Sequence, residues 1–178
     1  LDATLHGDGT PPVVADIATA CAGALHPVLI EFALAEATAR TLQAARTLQI
    51  PVVIGTTGHD ASDHAAIAAA AADIAVLHAA NMSTGVTALL AHLGALAASL
   101  PTFDARILDV HHSAKRDAPS GTALAFGAAL QRDDVGYASL RAGSVPGIHT
   151  VFFAGPGEQI EITHRAESRA CFATGALQ

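Results

Sequence analysis

The run of apolar and polar residues along this 178-residue chain predicts two halves of different class: an α/β half built on a parallel sheet, then an α+β half with a mixed or antiparallel sheet. Three observations carry this reading. Short β-branched runs alternate with alanine-rich segments of helical spacing through the first half. The alternation breaks after Asn81-Met82-Ser83-Thr84-Gly85. Beyond Leu130, strand-like runs follow one another with no helix between them.

Taken in order, Leu1 to Thr10 reads as a loop, and Ala15 to Ala24 as a short helix. Pro27 to Phe32 is a compact apolar run that predicts a buried parallel strand. Leu34 to Gln49 carries Leu34, Ala37, Thr41, Ala44, Ala45 and Leu48 at helical spacing. A second strand, Pro51 to Ile54, ends in Gly55-Thr56-Thr57-Gly58. A third unit follows as helix Ala61 to Ala72 and strand Asp73 to Leu77. Repeated strand and helix at this pitch implies right-handed crossovers, and ligands in such sheets bind beyond the carboxyl ends of the strands. The second half reads as helix Val86 to Leu100, strand Ala105 to Val110, a polar stretch, helix Ala123 to Leu130, and strands near Tyr137 to Arg141, His149 to Ala154 and Gln159 to His164.

Composition narrows the function. A net charge of -7 leaves no broad basic face for nucleic acid. The apolar stretches are shorter than the ~18 residues of a membrane span, and no basic segment precedes an apolar one at the start. Cys21 and Cys171 are far apart in sequence and suit reduced thiols of a cytoplasmic protein. The start at Leu1, without methionine, predicts that the sequence is part of a longer protein.

The densest polar run, Asp109 to Thr122, joins a strand end to a helix start and contains Lys115, the only lysine beside eight arginines. A compact ammonium does what guanidinium cannot when a proton must be given or a single oxygen touched. His111 and His112 offer imidazoles that titrate near neutrality. Ser120-Gly121-Thr122 opens the next helix, where free N–H groups favour an anion. Together they predict a pocket for a small anion that also needs a proton. Adjacent histidines cannot easily face one ion and no Cys or carboxylate recurs at ligand intervals, so no metal set is assigned.

The run His111-His112, Lys115 and Asp117-Ala118-Pro119-Ser120-Gly121-Thr122-Ala123 resembles the signature of the dihydrodipicolinate reductase family of lysine and diaminopimelate synthesis. Val53 to Gly58, Ala79 to Ser83, Arg141 to Thr150, Glu161 to Arg169 and Phe172-Ala173 extend the likeness in the same order. The resemblance implies an incomplete Rossmann-like nucleotide-binding domain over residues 1–82 with 170–178, and a substrate-binding and oligomerisation domain over 83–169. It implies reduction of a cyclic dihydrodipicolinate-type dicarboxylate by NADH or NADPH. His111 would be the general acid/base, with Lys115 as second proton donor or charge stabiliser. His112, Lys115, Gly121 and Thr122 would hold the substrate carboxylates. Phe32, Gly55, Thr56 and Thr57 would line the nicotinamide end, Ala79, Ala80, Asn81 and Met82 would wall it, and Arg169 would approach the cofactor. It further implies a homotetramer joined through the sheet after Tyr137.

The sequence also departs from the family pattern. No Gly-x-x-Gly-Arg-Met-Gly turn occurs, and Gly7-Asp8-Gly9 neither follows a strand nor opens a helix. Phe32-Ala33-Leu34-Ala35 stands where the family has Phe-Thr-x-Pro, Asp109 stands where it has glutamate, and no terminal helix is expected after Phe172. The missing glycine turn and the Phe32-Ala33-Leu34-Ala35 change support a rival, a non-catalytic dicarboxylate-binding or scaffold relative that lacks nucleotide binding.

Overall fold

The structure, a computed structural model, describes residues 14–178; the expected opening loop and Gly7-Asp8-Gly9 lie outside the described residues. The chain divides into two compact units, one ending at His78 and the other beginning at Ala79.

In the first unit, α1 (Ile17–Cys21) starts where the Asp16 side chain accepts from the Thr19 N–H at 2.8 Å. Strands β1 (Leu29–Glu31), β2 (Val52–Ile54) and β3 (Val76–His78) form a parallel sheet in the order β1-β2-β3. Helices α2 (Ala35–Leu48) and α3 (Ala61–Ala70) are the connections between successive strands. Helix α2 buries Thr38, Leu42 and Ala45, one stripe at helical spacing, and ends where Gln49 turns into the left-handed region at φ 54°. A reciprocal cap between Asp60 and Asp63 starts α3. Leu42, Ala45, Ile50, Val52, Ile54, Ile67 and Ala70 make the core.

Two expectations are corrected here. The run Pro27 to Phe32 is not buried throughout: among the described residues it is an edge strand of three residues, and Val28, Ile30 and Phe32 are 55%, 37% and 51% exposed. Only Glu31, on the alternate side, is buried, as the two-residue period of a strand requires. The third strand starts at Val76 rather than Asp73, because the Asp73 N–H bonds back to the Ala70 carbonyl and its carboxylate accepts from Arg46 Nε at 2.7 Å.

The second unit holds α4 (Thr84–Ser99), β4 (Asp104–His111), α5 (Gly121–Leu130), β5 (Gly136–Arg141), β6 (Ile148–Gly155), β7 (Glu158–Arg165) and α6 (Ala170–Ala176). Its sheet runs β5-β4-β6-β7 and is mixed: β5 is parallel to β4 across the α5 crossover, whereas β4, β6 and β7 are antiparallel neighbours. Along β4 the burial alternates, with Ala105, Ile107, Asp109 and His111 buried. These belong to the face that packs with Val86, Leu93 and Ala97 of α4 and Ala123, Phe126 and Leu130 of α5. Gly127 lets the helix sit close to β5, since a Cβ there would run into the Tyr137 hydroxyl. The absence of a helix after Phe172 is also corrected, for the small residues around it form α6, which continues to Ala176.

Candidate active site

The last residues of β4 bring a buried carboxylate and an imidazole onto the helix-covered face two positions apart. Asp109 has no exposed surface and receives four donors. Its Oδ1 accepts from His111 Nδ1 and from Arg141 Nη1, each at 2.8 Å. Its Oδ2 accepts from Ser139 Oγ at 2.5 Å and from the Ser120 N–H at 3.3 Å. Strand pairing places these groups, because Asp109 stands opposite Ser139 of β5 and His149 of β6. Burial alone would push the Asp109 carboxyl up, but the donors from Ser139, His111, the Ser120 amide and Arg141 outweigh it and hold it below its ordinary value.

His111 is 8% exposed and ends the strand. Burial pushes its imidazole below the usual range; Asp109 opposes that, while Lys115 and Arg141 add to it. Gly147 leaves space beside the ring, since a Cβ there would stand 3.3 Å from His111 Nε2. The chain then turns at His112, where the Lys115 N–H bonds the His112 carbonyl at 3.1 Å. Lys115 Nζ pairs with Asp117 Oδ1 at 2.8 Å, and the Arg141 guanidinium reaches the Asp117 carbonyl at 2.6 Å. His111, His112 and Lys115 are therefore gathered at the end of β4, with the loop pinned to β5 through one arginine.

At the start of α5 the Ser120 side chain accepts from the Ala123 N–H at 3.2 Å, an ordinary N-cap. The same hydroxyl meets His149 Nε2 at 3.2 Å. His149 is 2% exposed, its ring lies 5.0 Å from that of His111, and burial above all, with His111 second, lowers its pKa to about 4. Of the two predicted carboxylate holders on this helix, Thr122 is buried and its hydroxyl accepts from Asn81 Nδ2 at 2.9 Å, while Gly121 lies against Ala80. Asn81 also caps inward, its Oδ1 accepting from the Ser83 N–H at 2.8 Å. Met82 is buried, and Arg169 is an exposed residue at the start of α6. Ala79 is partly buried.

The remaining predicted cofactor residues meet in the first unit. Phe32, Gly55, Thr56 and Thr57 line one cavity of about 380 Å³ with Ala33 to Glu36 and Gly58. Gly55 has no Cβ because one would strike the Phe32 ring, and Thr56 Oγ1 accepts from the Ala33 N–H at 3.0 Å. The strand-end glycine thus makes room for a half-exposed aromatic ring beside hydroxyls. A flat, amide-bearing ring such as nicotinamide fits that combination of apolar wall and polar rim.

Sequence reasoning did not assign roles to Asp109, Ser139, Arg141, His149 or His164. Asp109 stood out only as a departure from the family glutamate, and Arg141, His149 and His164 only as parts of matching runs. Asp109 meets Ser139 and Arg141, and His149 meets Ser120, across about 30 residues, and His164 meets Ser83 across 81; the fold brings these partners together, which spacing along the chain does not reveal.

Comparison with known proteins bears on the whole chain. The family model for the N-terminus of dihydrodipicolinate reductase matches residues 4–82, and that for its C-terminus matches residues 85–178. The 4-hydroxy-tetrahydrodipicolinate reductase of Thiobacillus denitrificans is 43% identical over 85% of this chain and 66% of its own length. That of Anaeromyxobacter sp. is 41% identical over 96% of this chain and 73% of its own. The chain thus spans about two thirds of the length of the relatives it matches. The dipicolinate-bound dihydrodipicolinate reductase from Paenisporosarcina sp. TG-14 shares the fold, with a TM-score of 0.64 at 20% identity over 84% of this chain and 66% of that one.

Proposed function

The chain belongs to the dihydrodipicolinate reductase family, and we propose that it reduces 4-hydroxy-tetrahydrodipicolinate, a cyclic dicarboxylate, with NADH or NADPH in lysine and diaminopimelate biosynthesis. Residues 1–82 with 170–178 are assigned to nucleotide binding, and 83–169 to substrate binding and oligomerisation. Bound nicotinamide supplies the hydride; the tasks left to this chain's own residues are to hold two carboxylates and deliver one proton. His111 is the general acid/base at Nε2, and Lys115 the second donor or the charge that stabilises the anionic ring. His112, Lys115 and the amides of Gly121 and Thr122 hold the carboxylates, a geometry in which a helix start and an ammonium act on the same anion. Phe32, Gly55, Thr56 and Thr57 receive the nicotinamide end, with Ala79, Ala80, Asn81, Met82 and Arg169 as further cofactor contacts. The observation that carries this reading is the pairing of His111, bonded to a fully buried Asp109, with the sole lysine four residues on.

The test is turnover of His111→Gln and Lys115→Ala, followed through loss of the reduced cofactor's absorbance. Each is expected to lower kcat by about 10²–10⁴-fold, the span of general acid–base contributions, with unchanged circular dichroism. Near-native turnover in either variant removes that residue from the mechanism. The protein is further proposed to be a cytoplasmic homotetramer; no helix among the described residues is long and apolar enough to cross a membrane.

A further inference from the structure

We propose that Asp109 is a positioning residue for this reaction: its carboxylate holds His111 with the proton on Nδ1 and so reserves Nε2 as the atom that exchanges a proton with substrate. The inference rests on the assignment of His111 above. It begins from a count of donors. The Arg141 guanidinium, the Ser120 amide and the Ser139 hydroxyl all point hydrogens at Asp109, and the first two have no acceptor capacity. With those hydrogens fixed and both carboxylate oxygens acting as acceptors, the contact at 2.8 Å between Oδ1 and His111 Nδ1 is satisfied only by an Nδ1–H. A neutral His111 is then bare at Nε2 and a protonated one carries its labile proton there.

The surroundings bias how readily that proton leaves. Facing the ring are Asp109 on its own strand, Lys115 with Asp117 in the following loop, Arg141 on β5 and His149 on β6. Asp109 shares Oδ1 between His111 and an arginine that stays charged, so its pull on the imidazole is divided. The carboxylate fixes the tautomer without trapping the proton, because burial, Lys115 and Arg141 all favour the neutral ring.

Asp109→Asn tests this, because an amide presents N–H hydrogens to a ring of donors whichever way it turns. Ring ¹⁵N spectra of His111 in the full chain should show protonated Nδ1 in the native protein and loss of that pattern in Asp109→Asn. Turnover should fall by about 10²-fold or more with KM nearly unchanged. With His111 as acid, the rate declines as pH rises through its pKa. Removing the aspartate charge while leaving Arg141 and Lys115 moves that decline to lower pH. Asp109→Glu, which restores a carboxylate, should recover both the spectrum and most of kcat. Ser139→Ala supplies a second variant should Asp109→Asn unfold: deleting a donor makes the carboxylate more basic, so the decline moves to higher pH, the opposite sign. A purely structural pin between strands predicts neither shift. An unchanged ¹⁵N pattern in Asp109→Asn, or pH profiles unmoved in both variants, overturns the proposal. If His111→Gln keeps full turnover while the ¹⁵N pattern depends on Asp109, it is the assignment of His111 that fails, and the catalytic part of the proposal falls with it.

Discussion

His111, His149 and His164 form a row of imidazoles across β4, β6 and β7, with ring centroids 5.0 and 6.5 Å apart. Burial lowers the pKa of all three, and that of His149 falls to about 4. The unfolded chain binds a proton on such a histidine near pH 6.5, so between that value and about 4 it holds one proton more than the folded chain at His149. Stability is therefore full above pH 6.5 and declines on acidification, by up to about 1.4 kcal/mol per pH unit for this one group. His149→Gln removes the titration, and the fall in thermal midpoint between pH 7 and 5 should be visibly smaller in that variant. An equal fall would assign the acid sensitivity to other groups. None of this could be read before the structure. Lys115 and the histidine pair announce themselves in sequence by rarity and adjacency, whereas His149 is one histidine among ten until strand pairing sets it opposite Asp109.

Ser83 shows how a helix start is tied to the sheet. Its hydroxyl caps α4 by accepting from the Val86 N–H at 3.4 Å, and it also meets His164 Nε2 at 3.1 Å on β7. Ser83 is buried, 3% exposed. Ser83→Ala therefore removes a cap and leaves a half-buried imidazole with neither nitrogen bonded, since His164 Nδ1 has no partner. The expected cost is about 1–2 kcal/mol, read as a lower urea midpoint at unchanged m-value, with Ser83→Thr recovering most of it. Elements were readable in sequence where the apolar pattern was regular: α2, α4 and β6 lie within a few residues of their expected positions. Some ends were not, because the contacts that set them do not show in the apolar pattern. The Arg46 contact holds Asp73 out of β3, and the Ser120 cap starts α5 at Gly121, two residues before Ala123. The short apolar run at β1 read as buried because composition does not say whether a strand is central or, as β1 is among the described residues, at an edge.

The second unit's sheet carries its helices on one face, and the other face decides the proposed assembly. Register places Leu108 and Val110 of β4 beside Ala138 and Leu140 of β5 and across from Thr150 and Ile148 of β6, all on the side away from Ile107 and Phe153. This side is apolar toward the β5 edge, and Leu140 is 54% exposed. A contiguous apolar sheet face of this kind is costly in water and is a common site of association. The proposed occupant is a second copy of the chain, laid sheet against sheet and buried as the two inner faces of a sandwich are. A carboxylate placed in that layer would be desolvated without a partner, which disfavours association far more than folding of the single chain. Leu140→Asp is therefore expected to sediment as a smaller species than the native protein, with the same circular dichroism. The site at the end of β4 lies on the opposite face of the same sheet, bonded through Asp109 and Arg141 to β5. Loss of the assembly should accordingly lower kcat by loosening β5 under His111, and raising protein concentration should restore it. A Leu140→Asp protein that sediments like the native one would remove this face from the assembly.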